Sequence, residues 1–280
     1  IIITTKKAKE GQTLVNINTS FGFKKVVDKV DLVNGPQFQE LYSEQLANQK
    51  DTPFDFSGWN ANTNWQDEIF RNASMHNHQI NISGGNEGTT YSLSGGYLSQ
   101  DGIGIGSSFE RFSARVNMDN KITNWLSTGL RASVAKTQQN NTIDNGNIIR
   151  TAIQQLPEVP AKNPDGSWGM QSEALMRENY EKGLQLYVDF FADITLYKGL
   201  VFRAEYAGNY YYNNNYQYTP SYDYGLYTQE SLGSRSASNG SNWTLKTYLT
   251  YTNTFGRHQI TAMAGHEAQE NNWESLSGTR

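Results

Sequence analysis

Eight charged residues fall on one parity of alternating sequence: Arg111, Arg115 and Arg131, Asp189 and Asp193, then Arg203, Glu205 and Lys246. Side chains an even number apart on a strand lie on the same face, so each group forms a charged face. Charges so placed can pair across strands or touch a solute or a second segment passing that face. Nothing beside them is arranged for breaking bonds. With no cysteine there is no thiolate nucleophile, disulfide or Cys-ligated zinc. There is no Gly-x-Ser-x-Gly and no phosphate loop. Asp189 and Asp193 share a face, but their expected partners are the arginines, and a glycosidase would need two carboxylates about 5–10 Å apart in a cleft. His76-Asn77-His78 sets two imidazoles on one strand face with no carboxylate cluster beside them, so no metal site is expected. Asp144-Asn145-Gly146 and Asn163-Pro164-Asp165-Gly166 lack the spaced acids and closing Glu of a calcium loop and are turns.

The elements that hold these residues are strands. The stretch His78 to Lys136 alternates apolar or small residues with polar ones through four segments ended by Gly, Asn or Asp. Phe112, Ala114, Val116 and Met118 take one parity; Arg111, Arg115, Asn117 and Asp119 take the other. Composition agrees: 36% hydrophobic, 12% aromatic and a mean hydropathy of -0.68, with Tyr, Asn, Ser and Gly prominent. The net charge of -4 is spread along the chain without a basic stripe, which argues against nucleic acid. No run approaches the 18 apolar residues of a membrane helix. A membrane β-strand needs only about ten alternating residues.

In chain order, Ile1 to Lys7 and Thr13 to Phe23 read as strands. Asn34-Gly35-Pro36-Gln37 is a helix start, with Phe38, Leu41, Tyr42 and Leu46 as its apolar stripe. Asp51 to Ser74 is expected to be loop. Gln138 to Leu184 is a long insertion, with a helix capped by Asp144 or Asn145 and stopped by Pro157, then a weaker helix over Ser172 to Lys182. Strands resume at Leu186 and return after Lys198-Gly199. Tyr211 to Gly240 is expected to be a Tyr/Asn/Ser-rich loop, and the last two strands meet at Phe255-Gly256-Arg257. This makes about nine strands, most of ten residues or more, where soluble sandwiches average nearer five or six.

The connections sort by length. Tight turns fall at 85–88, 121–125, 197–200 and 255–258, all at one end; the long ones, 24–77, 99–110, 138–185 and 211–242, all fall at the other. Short periplasmic turns and long extracellular loops are the rule for outer-membrane barrels. Trp125, Tyr197 and Phe255, near the tight turns, then suit an interfacial aromatic girdle. Trp59, Trp65, Trp168, Tyr211, Tyr216, Tyr222 and Tyr224 lie in the long connections, where they would either meet a ligand or lid or pack the loops together.

Several pieces, in order, carry a resemblance: IIITTKK at residues 1–7, Trp65-Gln66-Asp67-Glu68-Ile69-Phe70-Arg71, His76-Asn77-His78 leading to Ile82-Ser83-Gly84-Gly85-Asn86, Tyr91 to Tyr97, Asp101-Gly102, Arg111-Phe112 and Arg115-Val116-Asn117. Together they resemble the SusC-like, starch-utilisation group of TonB-dependent outer-membrane transporters of Bacteroidetes. The resemblance implies an all-β, transmembrane antiparallel barrel of 22 strands closed by a plug, of which this chain would hold about the first nine, with short helices in extracellular loops. Residues 1–10 would end the plug domain and 11–280 would be the N-terminal part of the barrel. The implied function is import of an oligosaccharide or peptide, powered through TonB and working with a SusD-like surface lipoprotein, with no cofactor and no catalysis. The eight charged residues would then face the lumen or plug, and the opposite parity outer-membrane lipid. The chain begins inside an apolar run and is expected to be an internal piece of a longer protein. A second reading from the same loop tyrosines is a soluble carbohydrate-binding β-sandwich, which would need no detergent.

Overall fold

In a computed structural model the described residues are 11–141, 148–166, 177–223 and 228–280. The Ile1–Lys7 strand, the Asp144/Asn145 cap, Trp168 and Tyr224 lie outside them. Nine long strands form one antiparallel meander: β1 (Gly11–Lys24), β2 (Ala73–Gly85), β3 (Thr89–Asp101), β4 (Ser108–Lys121), β5 (Leu126–Asn140), β6 (Glu178–Tyr197), β7 (Leu200–Thr219), β10 (Leu232–Phe255) and β11 (His258–Thr279). The two-residue strands β8 (Tyr222–Asp223) and β9 (Thr228–Gln229) pair within the β7–β10 connection. Three helices stand in the long connections: α1 (Gly35–Gln49), α2 (Trp65–Ile69) and α3 (Ile148–Gln154).

The tight turns are where the sequence puts them, each with a local cause. Asn86 Oδ1 accepts the N–H groups of Gly88 and Thr89 at 3.0 and 2.8 Å, and Thr123 Oγ1 accepts that of Leu126 at 3.0 Å. Gly199 turns β6 into β7 at φ 79°, and a Cβ there would lie 2.2 Å from the Thr252 carbonyl oxygen. Only glycine meets both conditions.

The register also shows a slant. One row of paired residues runs Gly85, Thr90, Asp119, Gly129, Phe191, Glu205, Lys246 and Glu267. At Gly85 the row lies on the lower turn, but Lys246 stands nine residues before Phe255, where β10 turns. That stagger amounts to a tilt of about 45° at normal strand spacing, which is the tilt of a barrel wall.

The parity is observed as read. Phe112 pairs with Tyr97 and Lys136, Val116 with Leu93 and Ala132, and Val188 with Ala132 and Gly208, all on one face. Phe112, Val188 and Phe190 are 55%, 43% and 47% exposed, and among the described residues no second sheet covers them. The β-sandwich reading is therefore overturned, because a sandwich buries that face against another sheet.

Three sequence expectations are corrected. Residues 178–182 belong to β6, pairing with both β5 and β7, and are not helical. Tyr211 to Gly240 is mostly strand: β7 runs to Thr219 and β10 starts at Leu232. β6, β7, β10 and β11 have 20, 20, 24 and 22 residues, about twice the 9–11 tilted residues that a bilayer crossing needs. Within the expected Asp51–Ser74 loop, α2 forms, capped by Asn64, whose Oδ1 accepts the Gln66 N–H at 3.2 Å, and β2 begins at Ala73. The α1 start is as read: Asn34 and Gln37 exchange two 3.0 Å bonds in a capping box, with Pro36 in the first turn.

Apart from Ala73 at the start of β2, the buried apolar residues among those described lie in the connections. Trp65, Ile69, Ile148, Ala152 and Ala161 cluster together, joined by Phe70, Ile105 and Val159. Trp65 Nε1 donates to the Leu156 carbonyl at 2.9 Å, and Thr63 Oγ1 to that of Val159 at 2.7 Å. Two long connections are thereby packed into one body.

Candidate functional site

The register brings all eight charged residues to one face. Arg131 pairs with Asn117 and Asp189, Asp193 with Arg203, and Glu205 with Lys246. This face is divided by height. Near the tight turns the charges are paired, except Asp189: the arginine expected for it is not its partner, since Arg131 binds Asp119 instead, and Asp189 Oδ1 is buried without a hydrogen-bond partner. Arg131 Nη2 donates to Asp119 Oδ1 at 2.6 Å, and its Nη1 to the Met118 and Leu130 carbonyls at 2.8 and 2.9 Å. Arg203 binds Asp193 through Nε and Nη2 and reaches the Tyr248 hydroxyl at 3.3 Å. Lys246 lies 3.7 Å from Glu205. Phe191 sits between the two arginines, 4.5 Å from the Arg203 guanidinium carbon and 5.7 Å from that of Arg131. Such partly exposed pairs are worth about 0–1 kcal/mol each, so this tier fixes positions more than it adds stability.

The Phe191 ring has room because its cross-strand partner is Gly129, where a Cβ would fall 2.2 Å from a ring carbon. Gly129→Val is expected to push the ring off its place, leave Arg203 without it, and cost about 1–3 kcal/mol by overpacking. The temperature at which the full-length barrel loses its folded mobility on a detergent gel should fall, and an unchanged temperature would contradict this. Tyr211 lies over Gly240 in the same manner.

Above the paired tier the wall is amide and hydroxyl. Arg111 and Arg115 are exposed and, among the described residues, form no ion pair. They form the ridge between two hollows. One, of about 590 Å³, is lined by Asn77, Gln79, Asn81, Ser92, Ser94, Ser113 and Asn117; the other, of about 500 Å³, by Ser133, Gln185 and Tyr187.

The aromatic candidates do not converge. Trp59 is 37% exposed, 5.7 Å from Phe54. Trp65 is 4% exposed, so the ligand or lid contact considered for it is corrected to packing between connections. Tyr211 and Tyr216 are on β7, not in a loop, and opposite in parity; Tyr216 stacks on Tyr180 at 4.9 Å. Tyr222 is in β8, its side chain outside the described residues. His76 and His78 meet Phe21 edge-on at 5.2 and 5.4 Å, and no group of metal-ligating side chains occurs among the described residues. Sequence reasoning missed Gln66, whose buried amide donates to the Val30 carbonyl at 2.7 Å and accepts the Val30 N–H at 3.0 Å. The quoted Trp65-Gln66-Asp67 piece was the available signal, since Asp67 also pairs with Lys29.

No family model matches the chain. Among curated proteins it is 28% identical over 302 residues to TonB-dependent receptor P3 of Formosa agariphila, covering 100% of this chain and 29% of that protein. Over 119 residues it is 42% identical to TonB-dependent receptor SusC of Bacteroides thetaiotaomicron, covering 42% of this chain and 12% of SusC. The chain is a homologue of the SusC-like TonB-dependent receptors. Its fold agrees: the structure of the RagAB peptide transporter superposes with a TM-score of 0.77 over 98% of this chain and 37% of that one, at 19% identity. This SusC-like chain therefore spans about a third or less of the relatives it matches. It has the fold of part of an outer-membrane β-barrel wall.

Proposed function

We propose that the protein containing this SusC-like chain imports a polymeric nutrient, an oligosaccharide or peptide, through a plugged barrel, powered by TonB and closed above by a SusD-like lipoprotein. Residues 11–280 would be the N-terminal part of the barrel wall and residues 1–10 the end of the plug. The carrying observation is a tilted strand meander with one apolar and one charged face, long connections at one end only. The relatives support the class: receptors named for TonB, one of them SusC, and a fold shared with the RagAB peptide transporter. On this reading Arg111, Arg115, Arg131, Asp189, Asp193, Arg203, Glu205 and Lys246 face the lumen.

The test is uptake by cells carrying the full-length gene. Deleting the gene should abolish growth on one polymeric nutrient, and removing TonB should do the same with the gene intact. Growth that survives both would defeat the proposal. Within it, Arg111 and Arg115 are the wall cations left for plug or substrate, because the others have carboxylate partners. Arg111→Gln/Arg115→Gln is expected to slow uptake about tenfold, the scale of one lost charged hydrogen bond, with the same amount of protein in the membrane. Unchanged uptake would return both residues to the solvated wall.

A further inference from the structure

The outward face carries a cation pair that transport does not use. On β5 the outward residues Leu126, Thr128, Leu130, Ala132 and Val134 give way to Lys136, and on β6 Ile194, Ala192, Phe190, Val188, Leu186 and Leu184 give way to Lys182. From Leu126 to Lys136 is about 33 Å of strand, a rise of about 24 Å at the tilt of the wall, close to the roughly 25 Å apolar band of an outer-membrane barrel. Lys136 therefore sits at the upper rim of the lipid zone. Lys136 pairs with Leu184 and Lys182 with Gln138, so the lysines are diagonal neighbours about 7–8 Å apart at Cα. Because the strands slant, this diagonal runs nearly along the membrane normal, with Lys182 the higher.

Both lysines are exposed, and neither forms an ion pair with a described residue. Lys182 Nζ lies 5.1 Å from the centre of the Tyr180 ring, which stacks on Tyr216. The rim of neighbouring β3 and β4 is acidic instead. Asp101 there is engaged by Arg71 at 3.4 Å and by Ser74 at 2.8 Å, while Glu110, diagonal to Lys136, makes no ion pair with it. Two ammoniums without a carboxylate partner among the described residues, stacked across a headgroup layer above a face whose upper part, from Leu130 to Val134 and from Phe190 to Leu184, is apolar, match an acyl chain surmounted by a phosphate.

We propose that Lys136 and Lys182 clamp the phosphate of a phosphorylated outer-leaflet lipid. Acyl chains lie on Leu184, Leu186 and Val134, Lys136 snorkels upward, and Lys182 reaches down from beside Tyr180.

The test uses the full-length protein, delipidated in detergent, with phosphorylated lipid A and the same lipid dephosphorylated as probes, read by native mass spectrometry. The wild type is expected to retain the phosphorylated form preferentially. Lys136→Gln/Lys182→Gln should lose that preference by roughly tenfold or more, Lys136→Arg/Lys182→Arg should keep it, and Lys198→Gln at the opposite rim should leave it unchanged. Equal retention of both lipids by the wild type, or an unaltered preference in the double glutamine variant, overturns the proposal. No transported solute is involved, so failure here leaves the import reading untouched.

Discussion

Trp65→Ala is expected to release the upper connections while leaving the nine-stranded wall in place. The indole is buried to 4% exposure, packs on Ile69, Ile148 and Ala152, and donates to the Leu156 carbonyl. Removing it leaves a cavity and takes one of two donors from the Leu156 carbonyl, which keeps the Val159 N–H at 3.3 Å, at a cost of about 3–5 kcal/mol. Because the core joins connections, that loss falls on the described residues 25–72, 102–107 and 148–166 and not on the strand ladder. Limited proteolysis of the full-length protein on intact cells should show new cleavage in those segments, with unchanged folded mobility of the barrel on a detergent gel. Resistance equal to wild type would mean that the loop core is not what holds them.

The second large effect concerns parity. Val116→Arg puts a cation near the middle of the outward run from Met118 to Phe112, where it costs about 2–4 kcal/mol at the bilayer midplane. The folded protein recovered from membranes should drop sharply. Ser92→Arg, facing the other way between Ser83 and Asn117, should be recovered at the wild-type amount. Equal losses from both substitutions would contradict the assignment of the faces.

Much of this was legible in the sequence, for identifiable reasons. Alternation over Phe112 to Asp119 is visible because one face of a membrane strand must be apolar. The α1 cap is visible because Asn34, Pro36 and Gln37 are local chemistry. The upper parts of β7 and β10 were hidden: above the membrane both faces are wet, so Tyr210, Tyr212 and Asn214 on one side and Tyr211, Asn213 and Asn215 on the other show no contrast, and backbone pairing alone extends the strands. α2 is five residues long, too short for any helical period. The Trp65 core joins residues some ninety positions apart, a contact no local pattern reports. Parity placed the eight charges on one face, but which cations find carboxylates depends on register, which pairs Asp193 with Arg203 and sets Arg115 between Ser94 and Ser133.

The central claim is that two faces of one sheet meet two solvents. It is tested most directly by nitroxide labels placed singly at residues 111 to 118 of the full-length protein in lipid bilayers, a scan eased by the absence of cysteine from this chain. Relaxation by oxygen, which concentrates in lipid, should peak at 112, 114, 116 and 118, and relaxation by a water-soluble nickel complex should favour 111, 113, 115 and 117. An accessibility profile without a period of two, or with the two relaxers exchanged, would contradict the barrel orientation described above.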